Sequence, residues 1–252
     1  MTDTIVYQKS GHVGRLILNN PAKHNALGRE QLEGIQRCLE EVADDEEVRV
    51  LVLTGNGEKT FCAGASLQEL SGGEIGDDAF QAMTLAFSKL AIPTICALNG
   101  NVFGGGVELA LSCDFRIGVK GSRMRVPAAV IGLCYPLSGI QQFVARLGPH
   151  IAKRILVASE EFDADTMLQI GLLDHLVPVA ELEAATEKLA QRIAGLAPLA
   201  VQAMKSILQE AAQVNVDVER AASLSKMCLD SEDIQEGFAA KREKREPQFK
   251  GR

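Results

Sequence analysis

Three consecutive glycines, followed by Val107 and Glu108, form the segment of this chain best suited to chemistry. They follow an apolar run at 92–98, predicted as a strand, and precede a short helical pattern at 107–112. A strand that turns into a helix through glycine exposes backbone N–H groups, which can hold an oxygen that becomes negative during a reaction. Glu108 in the first helical turn could exchange a proton there. The alternative, that Glu108 only stabilises a helix N-terminus, stays open on these residues alone.

A second glycine turn lies at 61–66, after a predicted strand at 48–53. Ser66 and Glu69 have the spacing of a capping box, so a helix is predicted to begin there. The small residues before the cap allow a ligand to approach the main chain closely. Two such turns, each supplying one N–H donor, would have the geometry of an oxyanion hole for an ester or thioester carbonyl.

The composition is that of a globular protein with a sizeable core. Of the 252 residues, 46% are apolar and 23% are charged, and the net charge of −7 argues against a general nucleic-acid surface. The longest uncharged stretches, 90–107 and 126–145, are broken by Pro, Gly, Asn and Gln, so no membrane span is expected. The first ten residues lack the apolar region of a secretory signal, and the six cysteines show no CxxC pair. We therefore expect a cytoplasmic protein with reduced thiols and no metal site.

The C-terminal residues 241–252 are basic. Six Lys or Arg side chains against two Glu give this segment a charge of +4, so the first 240 residues sum to −11. Such a segment is either a solvated tail or a clamp for a polyanionic ligand, such as a nucleotide phosphate.

The order of predicted elements indicates an α/β fold. Strands at 4–8 and 13–19 are predicted to form a hairpin, and further strands at 48–53, 92–98 and 114–119 alternate with helical patterns. Parallel strands separated by helices satisfy this alternation. Helical patterns dominate from residue 137 onward, including 138–147 and 151–158. The chain is thus divided into a core at 1–195 and a helical C-terminal region at 196–252.

Several motifs at their present spacing resemble the crotonase superfamily, which contains the enoyl-CoA hydratases and isomerases. They are the segments 19–27, 61–67 and 99–110, Cys113-Asp114, and the ending at 230–249. The resemblance implies a spiral of ββα units with a helical C-terminal trimerisation region, assembled as a homotrimer or hexamer. It also implies an acyl-CoA substrate, with no cofactor beyond the coenzyme A of that substrate. The net charge and the interrupted apolar stretches predict no nucleic-acid or membrane partner.

The same resemblance assigns roles to individual residues. Glu108 would be the catalytic acid or base, and the N–H groups of Ala63 and Gly105 would form the oxyanion hole. The residues that would contact coenzyme A are Lys23, Ala63, Gly64, Ala65, Ser66 and Gly104, with Phe238 and Lys241 reaching it from a neighbouring subunit.

One position departs from the family pattern. Family hydratases carry a second glutamate after a proline, and here Ala128 follows Pro127. No Asp or Glu occurs between 115 and 159, and Asp77 or Asp78, in a glycine-rich segment expected to be a mobile loop, is a candidate substitute. Tyr135 and the ending at 230–233 resemble the methylmalonyl-CoA decarboxylase branch, although that branch has a histidine at the position of Ala65.

Three functions therefore stay open. The first is hydratase or lyase chemistry carried by Glu108. The second is decarboxylation of a malonyl-type thioester, which needs no base at the α carbon and for which Tyr135 would orient the leaving group. The third is acyl-CoA binding without turnover.

Overall fold

Two β-sheets and ten α-helices make up the fold in a computed structural model, which describes residues 3–73, 75, 77–212 and 217–252, with the backbone alone at 77 and 78. The strands are β1 (Ile5–Ser10), β2 (Val13–Leu18), β3 (Val50–Gly55), β4 (Thr60–Cys62), β5 (Thr94–Leu98), β6 (Asn101–Phe103), β7 (Phe115–Val119), β8 (Arg123–Arg125), β9 (Phe162–Asp163) and β10 (His175–Val177). The helices are α1 (Arg29–Asp44), α2 (Leu67–Ser71), α3 (Asp77–Lys89), α4 (Gly105–Ser112), α5 (Leu137–Leu156), α6 (Ala164–Gln169), α7 (Leu182–Ala194), α8 (Pro198–Ala212), α9 (Val218–Leu229) and α10 (Glu232–Glu243).

The larger sheet has the order β1-β2-β3-β5-β7-β10. Strands β1 and β2 form the predicted antiparallel hairpin, in which Ser10 pairs with Val13, and the remaining pairs are parallel. Every residue of β5 is buried, as expected of a parallel strand covered on both faces. The amphipathic helix α1 packs its apolar side on one part of the core, and α7 covers β3, β5 and β7 from the other face.

The smaller sheet has the order β4-β6-β8-β9. Each of the connections β3 to β4, β5 to β6 and β7 to β8 carries the chain from the larger sheet to the smaller one. The strands β4, β6 and β8 run parallel, so the chain winds as the predicted spiral of ββα units. The sequence did not predict these strands, because three residues are too few to display an alternating pattern.

The two helices predicted at 138–147 and 151–158 are confirmed as the two segments of α5, because the backbone breaks between them at Gly148, whose φ of 74° and ψ of 161° are non-helical. The segment expected to be a mobile loop ends inside α3, because the backbone is already helical at Asp77. The side chains of Asp77 and Asp78 lie outside the described part of the chain, so their candidacy as the missing carboxylate stays a prediction.

The C-terminal helices are tied to the sheet by a buried ion pair. The Lys205 ammonium on α8 lies 2.7 Å from Asp114 Oδ2 and donates to the Ile92 carbonyl, also at 2.7 Å. The final residues fold back onto α10, where the Asp233 carboxylate accepts the N–H groups of Lys250 and Gly251. The division of the chain at 195/196 stays a prediction. In the described ranges no helix is both long and apolar enough to cross a membrane.

Candidate active site

The two glycine turns lie side by side. Strands β4 and β6 are parallel neighbours, with Thr60 opposite Asn101, so the turns that follow them emerge together. A Cβ atom at Gly64 would lie 2.7 Å from the Gly105 nitrogen and 2.8 Å from the Phe103 carbonyl oxygen. Gly64 also has a φ of +88°, a region that favours glycine. Glycine is therefore required at 64 for the two turns to approach each other.

The hydrogen bonds of the first turn correct one predicted role. The Ala63 N–H donates to the His24 carbonyl at 3.0 Å. This bond contradicts the predicted use of Ala63 as a donor of the hole, because its N–H is already engaged. The acceptor, His24, lies nearly forty positions earlier in the chain. The motif at 61–66 alone therefore does not reveal which of its N–H groups is hydrogen-bonded.

Ala65 has the free N–H instead. It forms a parallel bridge with Leu27, made by the bonds from Leu27 N–H to Gly64 O and from Ser66 N–H to Leu27 O. In this pattern the bridging residue directs its own N–H away from its partner. Among the described residues the Ala65 N–H has no acceptor, and neither has that of Gly105, the first residue of α4. Ala65 and Gly105 therefore carry the unpaired donors of the two adjoining turns.

A buried asparagine fixes the first turn. The Asn25 side chain, 1% exposed, donates through Nδ2 at 3.0 Å to the carbonyls of Asn56, Thr60 and Phe61. Its Oδ1 accepts the Asn20 N–H at 2.9 Å. These bonds hold β4 and the segment before it, so the strand that leads into the turn is positioned by buried hydrogen bonds.

Glu108 lies in the first turn of α4 and is 2% exposed. The Thr84 hydroxyl, on α3, lies 3.4 Å from Glu108 Oε1 and is the hydrogen-bond partner of the carboxyl among the described residues. A Cβ atom at Gly139 would lie 3.2 Å from the same oxygen, so this glycine leaves room for the carboxyl. Burial raises the pKa of Glu108 to about 7, and the Thr84 hydroxyl opposes that rise. A carboxyl with this pKa can act as acid and as base near neutral pH.

Tyr135 and Ala128 lie at the positions where the sequence is predicted to depart from the family pattern. The half-buried Tyr135 ring stands edge-on to Phe143, with centroids 5.8 Å apart. Burial and the neighbouring Glu108 charge raise the pKa of the Tyr135 phenol, so it stays protonated and can donate a hydrogen bond. Ala128 is 6% exposed and belongs to the core, so an apolar methyl fills the position of the second glutamate.

Three of the remaining predicted ligand contacts, Lys23, Phe238 and Lys241, have exposed or terminal positions on the surface. Lys23 ends a 3₁₀ turn at Pro21–Lys23, next to the His24 carbonyl that binds Ala63. Phe238 on α10 is 62% exposed, and Lys241 on the same helix is exposed without an acidic partner among the described side chains. Their contacts with coenzyme A, and those of Gly64, Ser66 and Gly104, stay predictions.

Some of the basic side chains of the C-terminal segment 241–252 are engaged in ion pairs. Arg245 binds Glu236 through both terminal nitrogens, at 2.5 and 2.8 Å, and Arg252 binds Glu232 at 3.1 Å. In the described part of the chain the side chains of Lys241, Arg242, Lys244 and Lys250 make no ion pair. In the same ranges no group of three or more His, Cys, Asp or Glu side chains is arranged to hold a metal ion.

Comparison with known proteins identifies the family. A family model for enoyl-CoA hydratase/isomerase matches residues 8–252. The chain is 34% identical over 260 residues to the crotonyl-CoA hydratase of Syntrophomonas wolfei, covering 98% of each chain. It is 33% identical over 263 residues to the carnitinyl-CoA dehydratase of Proteus mirabilis, covering 100% of each. The crystal structure of enoyl-CoA hydratase from Bacillus anthracis superimposes with a TM-score of 0.91 at 30% identity, covering 99% of this chain and 100% of that one.

The chain belongs to the enoyl-CoA hydratase/isomerase family, and its fold is the crotonase-like spiral that the motifs predicted. The resemblance to the decarboxylase branch is not tested by these matches and stays a prediction.

Proposed function

We propose that this protein hydrates a 2-enoyl-CoA thioester, or dehydrates the corresponding 3-hydroxyacyl-CoA, with Glu108 handling every proton transfer. The observation that carries the proposal is the position of Glu108, buried one turn behind the unpaired Gly105 N–H, with a pKa raised to about 7. The relatives named crotonyl-CoA hydratase and carnitinyl-CoA dehydratase support this reaction class.

The N–H groups of Ala65 and Gly105 form the proposed oxyanion hole. When a nucleophile adds to the β carbon of an enoyl thioester, the negative charge moves to the carbonyl oxygen as an enolate. Two fixed donors stabilise that charge without rearranging, and each contributes about 3 kcal/mol by analogy with other oxyanion holes.

Glu108 carries both proton transfers in this proposal. The carboxylate takes a proton from water while the water oxygen bonds to the β carbon, and the double-bond electrons move into the enolate. The protonated Glu108 then returns that proton to the α carbon, so one water is added and Glu108 is regenerated. A pKa near 7 suits a group that must act first as base and then as acid.

Coenzyme A is held, in this proposal, along the first turn and by cations. Lys23 and the backbone of 63–66 with Gly104 line its path, and Phe238 and Lys241 come from a neighbouring subunit. Exposed apolar side chains on the C-terminal helices support assembly into a trimer or hexamer: Met204, Leu208, Val218 and Leu229 are 57%, 68%, 74% and 64% exposed in one chain. The cytoplasmic location stays an expectation.

A second candidate, decarboxylation of a malonyl-type CoA thioester, is favoured by Ala128 and Tyr135. Cleavage of the bond to the carboxylate releases CO₂ and leaves its electron pair as the same enolate, so no base is needed. The Tyr135 hydroxyl orients the leaving carboxylate, and protonated Glu108 delivers a proton to the α carbon. Because residue 128 is a buried alanine, it brings no second negative charge to that region.

Offering the protein crotonyl-CoA and methylmalonyl-CoA separates the two candidates. Loss of the enoyl absorbance supports hydration, whereas CO₂ release without it refutes hydration and supports decarboxylation. Glu108→Gln is expected to lower the turnover of the accepted substrate by at least 10²-fold while CoA affinity is kept. Glu161→Gln, a change at a surface ion pair, is the control. Affinity for acyl-CoA with no turnover across a broad thioester panel would favour the non-catalytic alternative.

A further inference from the structure

The Thr84 hydroxyl lies between two acceptors. Thr84 is 5% exposed on α3, and its Oγ1 lies 3.1 Å from the Gln81 carbonyl oxygen and 3.4 Å from Glu108 Oε1. A threonine hydroxyl has one proton and two lone pairs, so it donates to only one of these oxygens at a time. The contact with Glu108 is long for an O–H···O bond, as catalytic hydrogen bonds often are before substrate binds.

This arrangement fits both protonation states of Glu108. When the carboxyl is ionised, the Thr84 hydroxyl donates to Oε1. When the carboxyl is protonated, its own O–H can donate to Thr84 Oγ1, and the Thr84 proton turns to the Gln81 carbonyl. As the carboxyl gains or loses its proton, rotation about the Thr84 Cβ–Oγ1 bond interconverts the two hydroxyl orientations, so no heavy atom has to move.

The other groups around the Glu108 carboxyl form no hydrogen bond that could switch between donating and accepting in this way. From α5, Gly139 presents only hydrogen, and within α4 the Ser112 hydroxyl donates to the main-chain carbonyl of Glu108. The Tyr135 phenol, before α5, is the titratable neighbour among the described side chains. Among the described residues no Lys, Arg or His charge shifts the pKa of Glu108. Burial raises that pKa and the Thr84 hydroxyl lowers it.

We propose that Thr84 is a positioning residue that alternates between donating to and accepting from Glu108 as the proton moves on and off that carboxyl. The inference rests on the proposed function in one respect, namely that Glu108 cycles between its two protonation states in each turnover. Thr84 touches no substrate atom in this proposal.

Thr84→Val removes the hydroxyl at nearly constant volume, and Thr84→Ser keeps it. The control is Thr186→Val, because Thr186 is also buried in a helix but its Oγ1 has no hydrogen-bond partner in the described structure. The Glu108 carboxyl is titrated directly by carbon NMR of glutamate-labelled protein without substrate, and Glu108→Gln assigns the signal. In parallel, the pH dependence of kcat is measured with the accepted thioester.

Thr84→Val is expected to raise the pKa of Glu108 by about one pH unit, because a hydrogen bond to the ionised form is stronger than one to the neutral form. The limb of the kcat profile that reports ionised Glu108 moves by the same amount, so kcat at pH 7 falls about 5-fold while KM changes less than about 2-fold. Thr84→Ser and Thr186→Val should both match the wild type.

Two results would overturn the inference. One is a Glu108 titration unchanged in Thr84→Val, and the other is an equal shift in Thr84→Val and Thr84→Ser, which would assign the effect to packing. If valine is not accommodated, Thr84→Ala gives the same test without an added methyl. If the wild type turns over no thioester, the proposed function fails, yet the NMR titration still decides whether Thr84 controls Glu108.

Discussion

Substituting Gly64 by alanine tests whether the approach of the two glycine turns creates the oxyanion hole. The new Cβ would lie 2.7 Å from the Gly105 nitrogen, whereas ordinary contact begins at 3.4 Å. The two nearest atoms, the Gly105 nitrogen and the Phe103 carbonyl oxygen, belong to the backbone and cannot rotate away. One of the two glycine turns therefore has to move by about 0.7 Å, which is the difference between 3.4 and 2.7 Å. Donors of an oxyanion hole work at about 2.7–3.1 Å from the charged oxygen, so this displacement is larger than the working range.

The expected loss is therefore most of one donor, about 10²–10³-fold in kcat, with a smaller change in KM because the ground-state carbonyl carries little charge. Alanine at a φ of +88° adds about 1–3 kcal/mol of backbone strain, seen as lower stability. Turnover of the accepted thioester and urea unfolding are measured on the same preparations, and circular dichroism verifies folding.

Gly121→Ala is the matched control, since Gly121 has a similar φ of +82° but no atom within 4 Å of its Cβ position. It should lose only the stability that backbone strain costs, about 1–3 kcal/mol, and keep its kcat. If Gly64→Ala and Gly121→Ala have the same kcat, the inference that the contact between 64 and 105 shapes the hole is refuted.

Two further predictions concern stability. The pKa of Glu108 is about 7 in the folded state, against an ordinary 4.5, so the folded protein keeps a proton that the unfolded chain has lost between these values. Stability should therefore fall as pH rises through this window, by up to about 3 kcal/mol, and Glu108→Gln should remove that dependence in urea unfolding at pH 5 and pH 8. Lys205→Met leaves Asp114 charged and only 15% exposed, so it should cost about 3–5 kcal/mol in the same assay. Lys226→Met, at the exposed pair with Asp230, should cost less than about 1 kcal/mol, and equal losses for the two lysines would contradict the assignment.

The part of the candidate site that depends on a short sequence pattern could be predicted from the sequence. A glycine run between a strand and a helix specifies exposed N–H groups, and Glu108 follows it at fixed spacing, so this half of the site was accessible from the chain alone. The confirmed spiral fold came from the motif resemblance rather than from periodicity, because its three-residue strands carry no period.

The remainder of the site depends on distant contacts. Ala63 and Ala65 are both small residues of one turn, and only the pairing with 24–27 decides which N–H is engaged. The sequence also carried no signal for Thr84, because its contact with Glu108 comes from the packing of α3 against α4. Such choices are made by tertiary structure, which no local pattern encodes.

The two unpaired N–H groups follow strands that are immediate neighbours in the smaller sheet. Parallel neighbours lie about 4.8 Å apart whatever their side chains, so the distance between the donors is inherited from main-chain hydrogen bonding. The residues proposed to select the reaction, at 108, 128 and 135, lie outside these two strands, so we expect that they can be replaced without rebuilding the proposed anion site. A chain built this way can evolve a new reaction through few substitutions, and redesign of its specificity should begin at these three positions.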